Sequence, residues 1–361
     1  MTVPPVWLAR AGTWLRNILG RLHARMTPGF GLVLERLFGI IDNKALYCAV
    51  VLEIPELLAN GPRSAAEIAT ATGADPDAVD RLLRYLVSRD LFAATRDGRF
   101  VNNRATTMLR TKQPYSFRDW VLFFGSDWNW QIWNQLPTRV GKGQSAAEAT
   151  FGLTFFDYVN RKNLEAGDTF NGAMAAGSRI QAVLFAKTID LSPYTHVCDI
   201  GGGTGSTLVH LLRNRPALQG TLFDLPDLEK EAITVLETGG VADRATFVGG
   251  SFFESVPAGC DLYTLFAVVH DWDDQSCVRI LGNIRNVMAP AGRIMIIEKP
   301  VLSGPAYDFA KASDMIMLVL SDGGRERTET EYEGLFQMAG LRLRRRIALP
   351  SLFNVFELSA T

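Results

Sequence analysis

Cysteine is scarce in this 361-residue chain, and the few cysteines are not spaced for pairing or for metal binding. Cys48, Cys198, Cys260 and Cys277 are far apart, form no CxxC pair and mostly have apolar neighbours. This distribution excludes a disulfide framework and a cysteine-based zinc site. We therefore expect reduced, buried thiols and a cytoplasmic protein.

The chain also lacks an excess of charge of either sign. Lys and Arg together number 37 and Asp and Glu 38, so the formal net charge is −1. Such a balance excludes a global field that would collect nucleic acid or an anionic membrane. Hydrophobic residues at 47% and charged residues at 21% are typical of a globular protein. The length allows two domains, each with its own core.

No apolar run at the start is long enough for a signal peptide or a membrane span. Residues 6–26 interleave tryptophan, leucine and isoleucine with Arg10, Arg16, Arg21 and Arg25. This pattern predicts a basic amphipathic helix. We interpret it as a helix that packs on its own domain or on a partner subunit, with a membrane surface as the alternative.

The next hundred residues predict helices followed by a hairpin. Residues 42–59 have a helical pattern, Ser64 and Glu67 form a capping box, and Asp75 precedes a third helix. The segment LFAATRDGRFVNN then predicts a hairpin with a tight polar turn. This order is typical of a winged-helix domain. Because the third helix opens with acids, a packing or dimerising role is favoured over DNA binding.

Residues 114–180 predict helices that are unusually rich in aromatic side chains. Aromatic residues dominate both protein cores and subunit interfaces, which accounts for many of them. A pocket for a flat aromatic substrate is the sharper interpretation for some, and here we assign Trp128 and Phe170 to it.

From about residue 192, short strands alternate with helices. HVCDI, GTLFD, ATFVG, DLYTLFAVVH and GRIMIIE are predicted strands, with helices such as residues 204–214 and 273–288 between them. Two further strands end the chain. The pattern predicts an α/β domain with a doubly wound parallel sheet and an antiparallel C-terminal hairpin. We divide the chain into a helical domain, residues 1–180, and a cofactor-binding catalytic domain, residues 181–361.

The segment VCDIGGGTG is a predicted strand that ends in a glycine-dense turn, where backbone can approach a ligand closely. The dinucleotide pattern GxGxxG is incomplete, because Ser206 occupies its last position. Asp199, just before the glycines, suits a cationic ligand better than a pyrophosphate. Asp224, after the next strand, can accept hydrogen bonds from ribose hydroxyls. These features favour S-adenosylmethionine over NAD.

Six ordered motifs then give the chain a family resemblance. VCDIGGGTG, FDLP, FVGGSFF, VVHDWDD, GRIMIIE and GGRERTETEYEGLFQMAGL resemble, in sequence and order, those of S-adenosylmethionine-dependent O-methyltransferases. The chain looks most like the plant caffeic-acid-type and bacterial polyketide-type enzymes, which methylate phenolic hydroxyls. The resemblance covers nearly the whole chain. It implies a class I methyltransferase, Rossmann-like catalytic domain, a winged-helix dimerisation domain and a homodimer.

The resemblance implies a cofactor site at the glycine turn, with the ribose on Asp224 and the adenine beside Ser251 and Phe252. Ser251 stands where the family commonly has Asp, and Phe266 stands where many members carry Lys, so both positions differ from the family pattern. The predicted cofactor-binding residues are Asp199, Gly201, Gly203, Asp224, Leu225, Gly250, Ser251, Phe252 and Phe266.

The resemblance makes His270 the general base, with Glu298 and Glu326 near its ring. The residue type suits the chemistry, because an imidazole that titrates near neutrality can take the proton of a phenol, whose pKa is about 10. We expect His270 at the end of the long apolar strand TLFAVV. Glu298 can fix the imidazole tautomer. Glu326 lies between two arginines, and a solvated surface charge is its alternative interpretation.

Met174 matches a residue that often packs on the substrate ring in the family. With Trp128, Phe170, Asp271 and Met315 it makes up the predicted substrate pocket. Asp271, Asp273 and Asp274 resemble a carboxylate metal cluster. Acids at a helix start favour capping instead, so we predict no metal.

The leading hypothesis is therefore a cytoplasmic, homodimeric O-methyltransferase that acts on a phenolic or polyketide-like molecule. A second hypothesis keeps the fold and cofactor but replaces methyl transfer with hydroxylation or decarboxylation. A third is a winged-helix regulator that senses a ligand. The acceptor itself is not predicted, because its pocket lies on helices whose packing the sequence does not reveal.

Overall fold

A computed structural model describes residues 4–361, which form two compact units that alternate along the chain. One contains the residues up to Leu19 together with Leu136–Phe155 and Ser178–Thr361. The other contains Gly20–Gln135 and Phe156–Gly177. The domain boundary placed at residue 180 stays a prediction.

Helices dominate the chain up to residue 188. They are α1 (Val6–Met26), α2 (Gly29–Leu37), α3 (Gly39–Val51), α4 (Ile54–Leu57), α5 (Ala65–Thr72), α6 (Pro76–Ser88), α7 (Arg104–Thr107), α8 (Arg118–Gly125), α9 (Asp127–Trp133), α10 (Leu136–Lys142), α11 (Ala146–Phe151), α12 (Phe155–Asp157) and α13 (Leu164–Thr188). The short strands β1 (Ala93–Ala94) and β2 (Phe100–Val101) pair antiparallel after α6. The capping box of Ser64 and Glu67 is confirmed, and Asp75 caps α6 by accepting from the Ala78 N–H.

The helix predicted over residues 42–59 is wrong in one respect, because it is two helices. Helix α3 ends at Val51 and α4 begins at Ile54. Between them Glu53 adopts φ +54°, a left-handed conformation that stops the helical ladder. The apolar pattern continues across this break because both helices pack into the same core, which includes Ala49, Ile54 and Leu58.

Helix α1 has no buried residue. Trp7 is 69% exposed and Trp14 is 65% exposed. The leucines of this helix are exposed as well, namely Leu8, Leu15, Leu19 and Leu22. Its apolar side chains are therefore not buried in its own domain, although the Arg16 guanidinium lies 5.0 Å from the centre of the Tyr307 ring in the same unit. No helix among them combines the length and the hydropathy needed to span a bilayer.

A seven-stranded sheet forms the centre of the unit that contains Ser178–Thr361. Its strands are β3 (His196–Ile200), β4 (Gln219–Asp224), β5 (Ala245–Gly249), β6 (Leu262–Phe266), β7 (Arg293–Glu298), β8 (Leu341–Ala348) and β9 (Asn354–Ala360). The order is β5-β4-β3-β6-β7-β9-β8. The first five strands are parallel, and the C-terminal pair is antiparallel, as predicted.

Helices connect these strands and cover the sheet with apolar side chains. They are α14 (Ser206–Asn214), α15 (Glu229–Thr238), α16 (Asp274–Val287), α17 (Phe309–Leu320) and α18 (Glu329–Met338). Helix α14 begins two residues later than predicted, because Gly205 is left-handed at φ +86°. Strand order reverses between β3 and β6, where ligands of open parallel sheets bind beyond the carboxyl ends.

Two expectations, one about the strand before His270 and one about the thiols, need correction. The apolar strand predicted to end on His270 ends at Phe266. Ala267 then adopts φ +54°, and His270 lies in a short 3-10 turn, Val269–Asp271. Cys48 is exposed, whereas Cys198, Cys260 and Cys277 are buried as expected. Cys48 lies on an outward face of α3, which the apolar character of its neighbours did not reveal.

Candidate functional site

The glycine turn after β3 has a backbone that only glycine adopts easily. Gly201, Gly203 and Gly205 all have positive φ, at +67°, +59° and +86°. The Gly201 N–H donates to the Phe223 carbonyl at 2.8 Å, which ties the turn to the end of β4. A Cβ on Gly203 would meet no atom of residues 4–361 within 4 Å, so this part of the turn faces open space.

Gly202 is enclosed instead, and this predicts a strong effect of adding one methyl group. A Cβ at residue 202 would lie 2.5 Å from Leu222 Cδ1 and 2.6 Å from Asp199 Oδ2. We expect Gly202→Ala to destabilise the fold by about 1–3 kcal/mol through overpacking. The distorted turn should also bind S-adenosylmethionine more weakly, which thermal unfolding and calorimetry would measure.

Gly282→Ala is the matched control for this substitution. Gly282 lies in α16, and a Cβ there would meet nothing within 4 Å. It should leave cofactor affinity unchanged and raise stability by up to about 1 kcal/mol, as alanine does in helices. Equal behaviour of the two variants would contradict the enclosed position assigned to Gly202.

Asp199 lies directly beneath this turn and is almost fully buried. Its Oδ1 accepts a hydrogen bond from Thr264 Oγ1 at 2.9 Å, but Oδ2 has no hydrogen-bond partner among residues 4–361. Burial raises the pKa of Asp199 to about 7, against the opposing effect of the Thr264 hydrogen bond. A buried carboxylate with one unsatisfied oxygen is suited to receive a cation.

Asp224 ends β4 and holds the other side of the turn. Its Oδ2 accepts from the Gly203 N–H at 2.7 Å, and its Oδ1 accepts from the Leu225 N–H at 2.7 Å. Burial raises the pKa of this carboxyl, and the two backbone hydrogen bonds act in the opposite direction. Each oxygen keeps acceptor capacity, since a carboxylate has about four lone-pair positions.

The other predicted cofactor residues follow β4, β5 and β6. Leu225 is half exposed, and the Gly250 N–H donates to the Asp224 carbonyl at 2.9 Å. Ser251 Oγ accepts from the Phe253 N–H at 3.3 Å. The ring of Phe252 lies 3.7 Å from where a Gly201 Cβ would be. Phe266 lies at the end of β6, and its ring centroid is 5.0 Å from that of Phe185 in the core.

The turn that carries His270 contacts the glycine turn. Val268 Cγ2 lies 3.0 Å from the position of a Cβ on Gly201. From the other side, the buried Arg327 guanidinium donates to the Val269 carbonyl at 3.1 Å and to the Trp272 carbonyl at 2.8 Å. These contacts fix the backbone of the His270 turn. Val268 and Arg327 were not among the predicted residues.

The imidazole of His270 is buried and oriented by a carboxylate. Nδ1 lies 2.9 Å from Glu298 Oε2, and the His270 backbone N–H donates to Glu298 Oε1 at 3.2 Å. Glu298 is itself completely buried at the end of β7. With Nδ1 donating to Glu298, Nε2 is the nitrogen left to accept a proton.

Charge around the ring decides how readily it is protonated. Burial disfavours the imidazolium, but the charges of Glu298, Asp271 and Glu326 outweigh burial and the opposing charge of Lys299. Together they raise the pKa of His270 to about 9. Burial opposes ionisation of Glu298 as well, yet the neighbouring imidazole and ammonium hold the pKa of Glu298 below its ordinary value.

Glu326 is 3% exposed, so its interpretation as a solvated surface charge is wrong. Its Oε1 lies 3.7 Å from His270 Nδ1, accepts from Ser313 Oγ at 2.7 Å and pairs with Lys299 Nζ. The flanking Arg325 and Arg327 in the sequence hid this burial. Lys299, which follows Glu298 directly, was missed because a lysine at a strand end is usually solvated.

The three aspartates after His270 interact with different partners. Asp271 Oδ1 lies 3.4 Å from His270 Nε2, and burial raises the pKa of Asp271 to about 6. Asp273 is the N-cap of α16 and accepts from the Ser276 N–H at 2.7 Å, as the capping interpretation expects. Asp274 pairs with Arg327 at 2.7 Å. They therefore do not share one centre.

Two of the predicted substrate residues pack on the same phenylalanine in the unit that contains Gly20–Gln135 and Phe156–Gly177. Trp128 and Phe170 pack on the buried Phe123, with ring centroids 5.5 and 5.6 Å away. Met174 follows Phe170 by one turn on α13 and is half buried. Met315, in the unit that contains the sheet, lies on α17 and is 39% exposed.

The glycine turn fits a nucleoside cofactor that carries a positive charge. Asp199 offers an unsatisfied buried oxygen beneath the turn, the space beside Gly203 is open, and Asp224 lies at its edge. These three features together match the predicted site for S-adenosylmethionine.

Comparison with known protein families gives two matches. The family model described as the O-methyltransferase domain matches residues 133–342. The O-methyltransferase dimerisation domain matches residues 34–112.

Individual relatives are similar over nearly the whole chain. Phenazine O-methyltransferase PhzM of Lysobacter antibioticus is 35% identical over 93% of this chain and 97% of its own length. An 8-amino-8-demethylriboflavin N,N-dimethyltransferase of Streptomyces davaonensis is 33% identical over 82% of this chain and 85% of its own. The structure of CalO1, a methyltransferase in calicheamicin biosynthesis with S-adenosylhomocysteine bound, superposes with a TM-score of 0.82. It is 32% identical and covers 94% of this chain and 99% of that one.

Proposed function

Because this chain belongs to the O-methyltransferase family, we propose that it methylates a hydroxyl oxygen of an aromatic small molecule, with His270 as the general base. Family membership confirms the predicted class I methyltransferase fold and the predicted cofactor, S-adenosylmethionine. The acceptor, the role of His270 and the cofactor residues are our proposals.

One observation carries the proposed mechanism. The imidazole of His270 is held through Nδ1 by the buried Glu298, on a turn whose Val268 contacts the glycine turn. S-adenosylmethionine, when bound, supplies a methyl group already activated by a positively charged sulfur. Nε2 of His270 would take the proton of the acceptor hydroxyl while the methyl–oxygen bond forms and the methyl–sulfur bond breaks, and Glu298 would stabilise the resulting imidazolium. Such general-base catalysis contributes typically about 10²–10⁴-fold.

The aromatic residues support an aromatic acceptor. Trp128 and Phe170, which pack on Phe123, offer flat apolar surfaces of the kind that line small-molecule pockets. The relatives named above include one that methylates phenazines at oxygen and one that methylates an amino-riboflavin at nitrogen. The acceptor atom therefore has to be measured on the product.

The test is a two-step assay with purified protein. Calorimetry should first detect binding of S-adenosylmethionine. A panel of phenols, aromatic acids and aromatic amines is then incubated with the cofactor, and products are identified by mass spectrometry. A gain of one methyl group at oxygen supports the proposal. A gain at nitrogen only, a gain of oxygen or a loss of carbon dioxide overturns it.

We also propose that the protein is a homodimer. The dimerisation-domain match begins at residue 34. Nearby, on and between α2 and α3, four apolar side chains are exposed: Phe30, Leu37, Phe38 and Ile41. They form a group, whereas exposed apolar residues without a partner are usually scattered singly. A second copy of the chain is the partner that this match supports.

Two charged substitutions in this surface should dissociate the dimer. Phe38→Glu combined with Ile41→Glu places carboxylates in a desolvated interface, where each costs several kcal/mol unless paired. Light scattering should then give one chain mass for the variant and two for the wild type. Leu302→Glu, at a residue that is 53% exposed in the unit containing the sheet, is the control and should stay dimeric. A monomeric wild type would contradict this proposal.

A further inference from the structure

Lys299 is a buried cation that the mechanism above leaves without a role. It follows Glu298 at the end of β7 and is only 5% exposed. A lysine is almost never this buried unless its ammonium is paired, because desolvating a charge is costly. The partners of this ammonium therefore indicate what it does.

Two of these partners are Glu326 and His270 itself. Nζ pairs with Glu326 Oε1 and lies 3.3 Å from His270 Nδ1. It also lies 5.4 Å from the centre of the Phe353 ring, within the range of a cation–π contact. The same oxygen of Glu326 accepts from Ser313 Oγ. The ammonium is thus inside the cluster, and its position is fixed from three sides.

Two carboxylates close to one imidazole pose a problem for a general base. One ring nitrogen of His270 and one carboxylate oxygen each of Glu298 and Glu326 lie within 4.8 Å of one another. Two negative charges at this distance favour the imidazolium, which has no lone pair on Nε2 and takes no proton. An arrangement of this kind calls for a compensating cation, and Lys299 places an ammonium within it.

We propose that Lys299 is a positioning residue whose ammonium neutralises Glu326 and lowers the proton affinity of the His270 imidazole, so that more of it is unprotonated when the acceptor hydroxyl gives up its proton. The inference rests on the proposed role of His270. Nδ1 donates to Glu298 and has no lone pair for Lys299, so the 3.3 Å approach acts through charge. A positive charge beside the ring disfavours a second positive charge on it.

Other charged groups also face the ring and act with Lys299. Asp271 approaches Nε2 from the same turn, and Glu298 and Glu326 approach Nδ1 from β7 and from the segment before α18. The buried Cys277 and Tyr332 interact electrostatically with Glu298, and the Arg327 guanidinium binds the Val269 carbonyl. Of these, Lys299 is the cation whose charge lowers the pKa of His270.

Titration of the imidazole itself provides the test. The chain has only four histidines, so 15N-histidine NMR of the full-length protein resolves them, and the spectrum of His270→Asn assigns the signal of interest. In Lys299→Met we expect the midpoint of His270 to rise by at least about one pH unit, a tenfold change in proton affinity. Lys299→Arg keeps the charge and should stay within about 0.3 units of the wild type, well below that tenfold change.

Lys311→Met is the matched control. Its ammonium binds the Gly304 and Ala306 carbonyls and is not in the cluster, so the His270 midpoint should not move. An unchanged midpoint in Lys299→Met overturns the inference. The titration needs neither acceptor nor turnover, so its outcome is independent of whether methylation of a hydroxyl is found.

A second pair of variants keeps the inference testable if Lys299→Met does not fold. Glu326→Gln leaves Lys299 as an uncompensated cation and should lower the His270 midpoint below that of the wild type. Adding Lys299→Met to Glu326→Gln removes the cation and should raise the midpoint again by about one unit or more. Equal midpoints in the single and double variants overturn the inference. Once an acceptor is known, the acid limb of the pH–rate profile should move in the same direction.

Discussion

We expect His270→Ala to lower methyl transfer by about 10²–10⁴-fold while cofactor affinity stays within about twofold of the wild type, which is the range expected for loss of the proposed general base. The side chain of His270 contacts Glu298, whereas the contact of its turn with the glycine turn is made by Val268. Removing the imidazole therefore removes the proton acceptor and leaves the cofactor site in place. Calorimetry with S-adenosylmethionine and rate measurements on the same preparation separate the two effects.

The pH dependence of the wild type gives an independent check of the same role. Only the neutral imidazole accepts a proton, so the rate should rise with pH and level off above the pKa of His270. That pKa is raised to about 9 in the protein alone. A cationic cofactor bound nearby would lower it, so the midpoint of the acid limb should lie below 9 in the working enzyme.

His210→Ala is the control for both measurements. His210 lies on α14 and interacts with Asn214 on the same helix, away from Glu298. It should retain the wild-type rate and the wild-type pH profile. Full activity in His270→Ala, or equal losses in the two variants, would remove His270 from the proposed role.

Binding of S-adenosylmethionine should strengthen as pH rises through 7, because Asp199 must be ionised to attract a cation. The pKa of Asp199 is raised to about 7 by burial. At pH 6 about one tenth of the carboxyl groups are then ionised, so the apparent Kd should be about tenfold higher than at pH 8. Above pH 8 the affinity should level off.

Asp199→Asn removes this charge with little change in shape. The variant should bind the cofactor at pH 8 at least about tenfold more weakly, the loss expected for a hydrogen bond to a charged group. Its affinity should also become independent of pH between 6 and 8. Calorimetry at several pH values, in buffers of different ionisation enthalpy, measures the affinity and the proton released.

Asp243→Asn serves as the control, since Asp243 is exposed between α15 and β5. It should reproduce the wild-type affinity and its pH dependence. A cofactor affinity of the wild type that does not change with pH would mean that the charge of the cofactor does not interact with Asp199. Wild-type affinity of Asp199→Asn for the cofactor would lead to the same conclusion.

Local sequence patterns were sufficient where a function depends on a short stretch of chain. The glycine turn, the acid before it and the acid after β4 lie at the ends of adjacent strands, and parallel strands bring their carboxyl ends to one edge. The same holds for the Asp273 cap, which acts within one turn of helix. The family resemblance supplied the cofactor class, which the incomplete glycine pattern only favoured.

The turn at His270 shows why the longer apolar segment was misinterpreted. Buried turns and buried strands are equally apolar, so TLFAVV does not reveal where the strand stops. The stop depends on the left-handed Ala267 and on Arg327, a residue almost sixty positions later that binds the turn's carbonyls. Contacts over such separations leave no periodic signal in the chain.

The sequence by itself determined the alternation of strands and helices and the glycine turn with its two acids. These features depend on residue type and on neighbours a few positions away. Only the tertiary structure decided that Glu326 is buried, that Lys299 pairs with it, and that both lie beside His270. Charge and burial depend on which distant segments enclose a side chain. The sequence shows a lysine or a glutamate in the same way whether it lies in water or in a core, and only its surroundings decide its protonation and its partners.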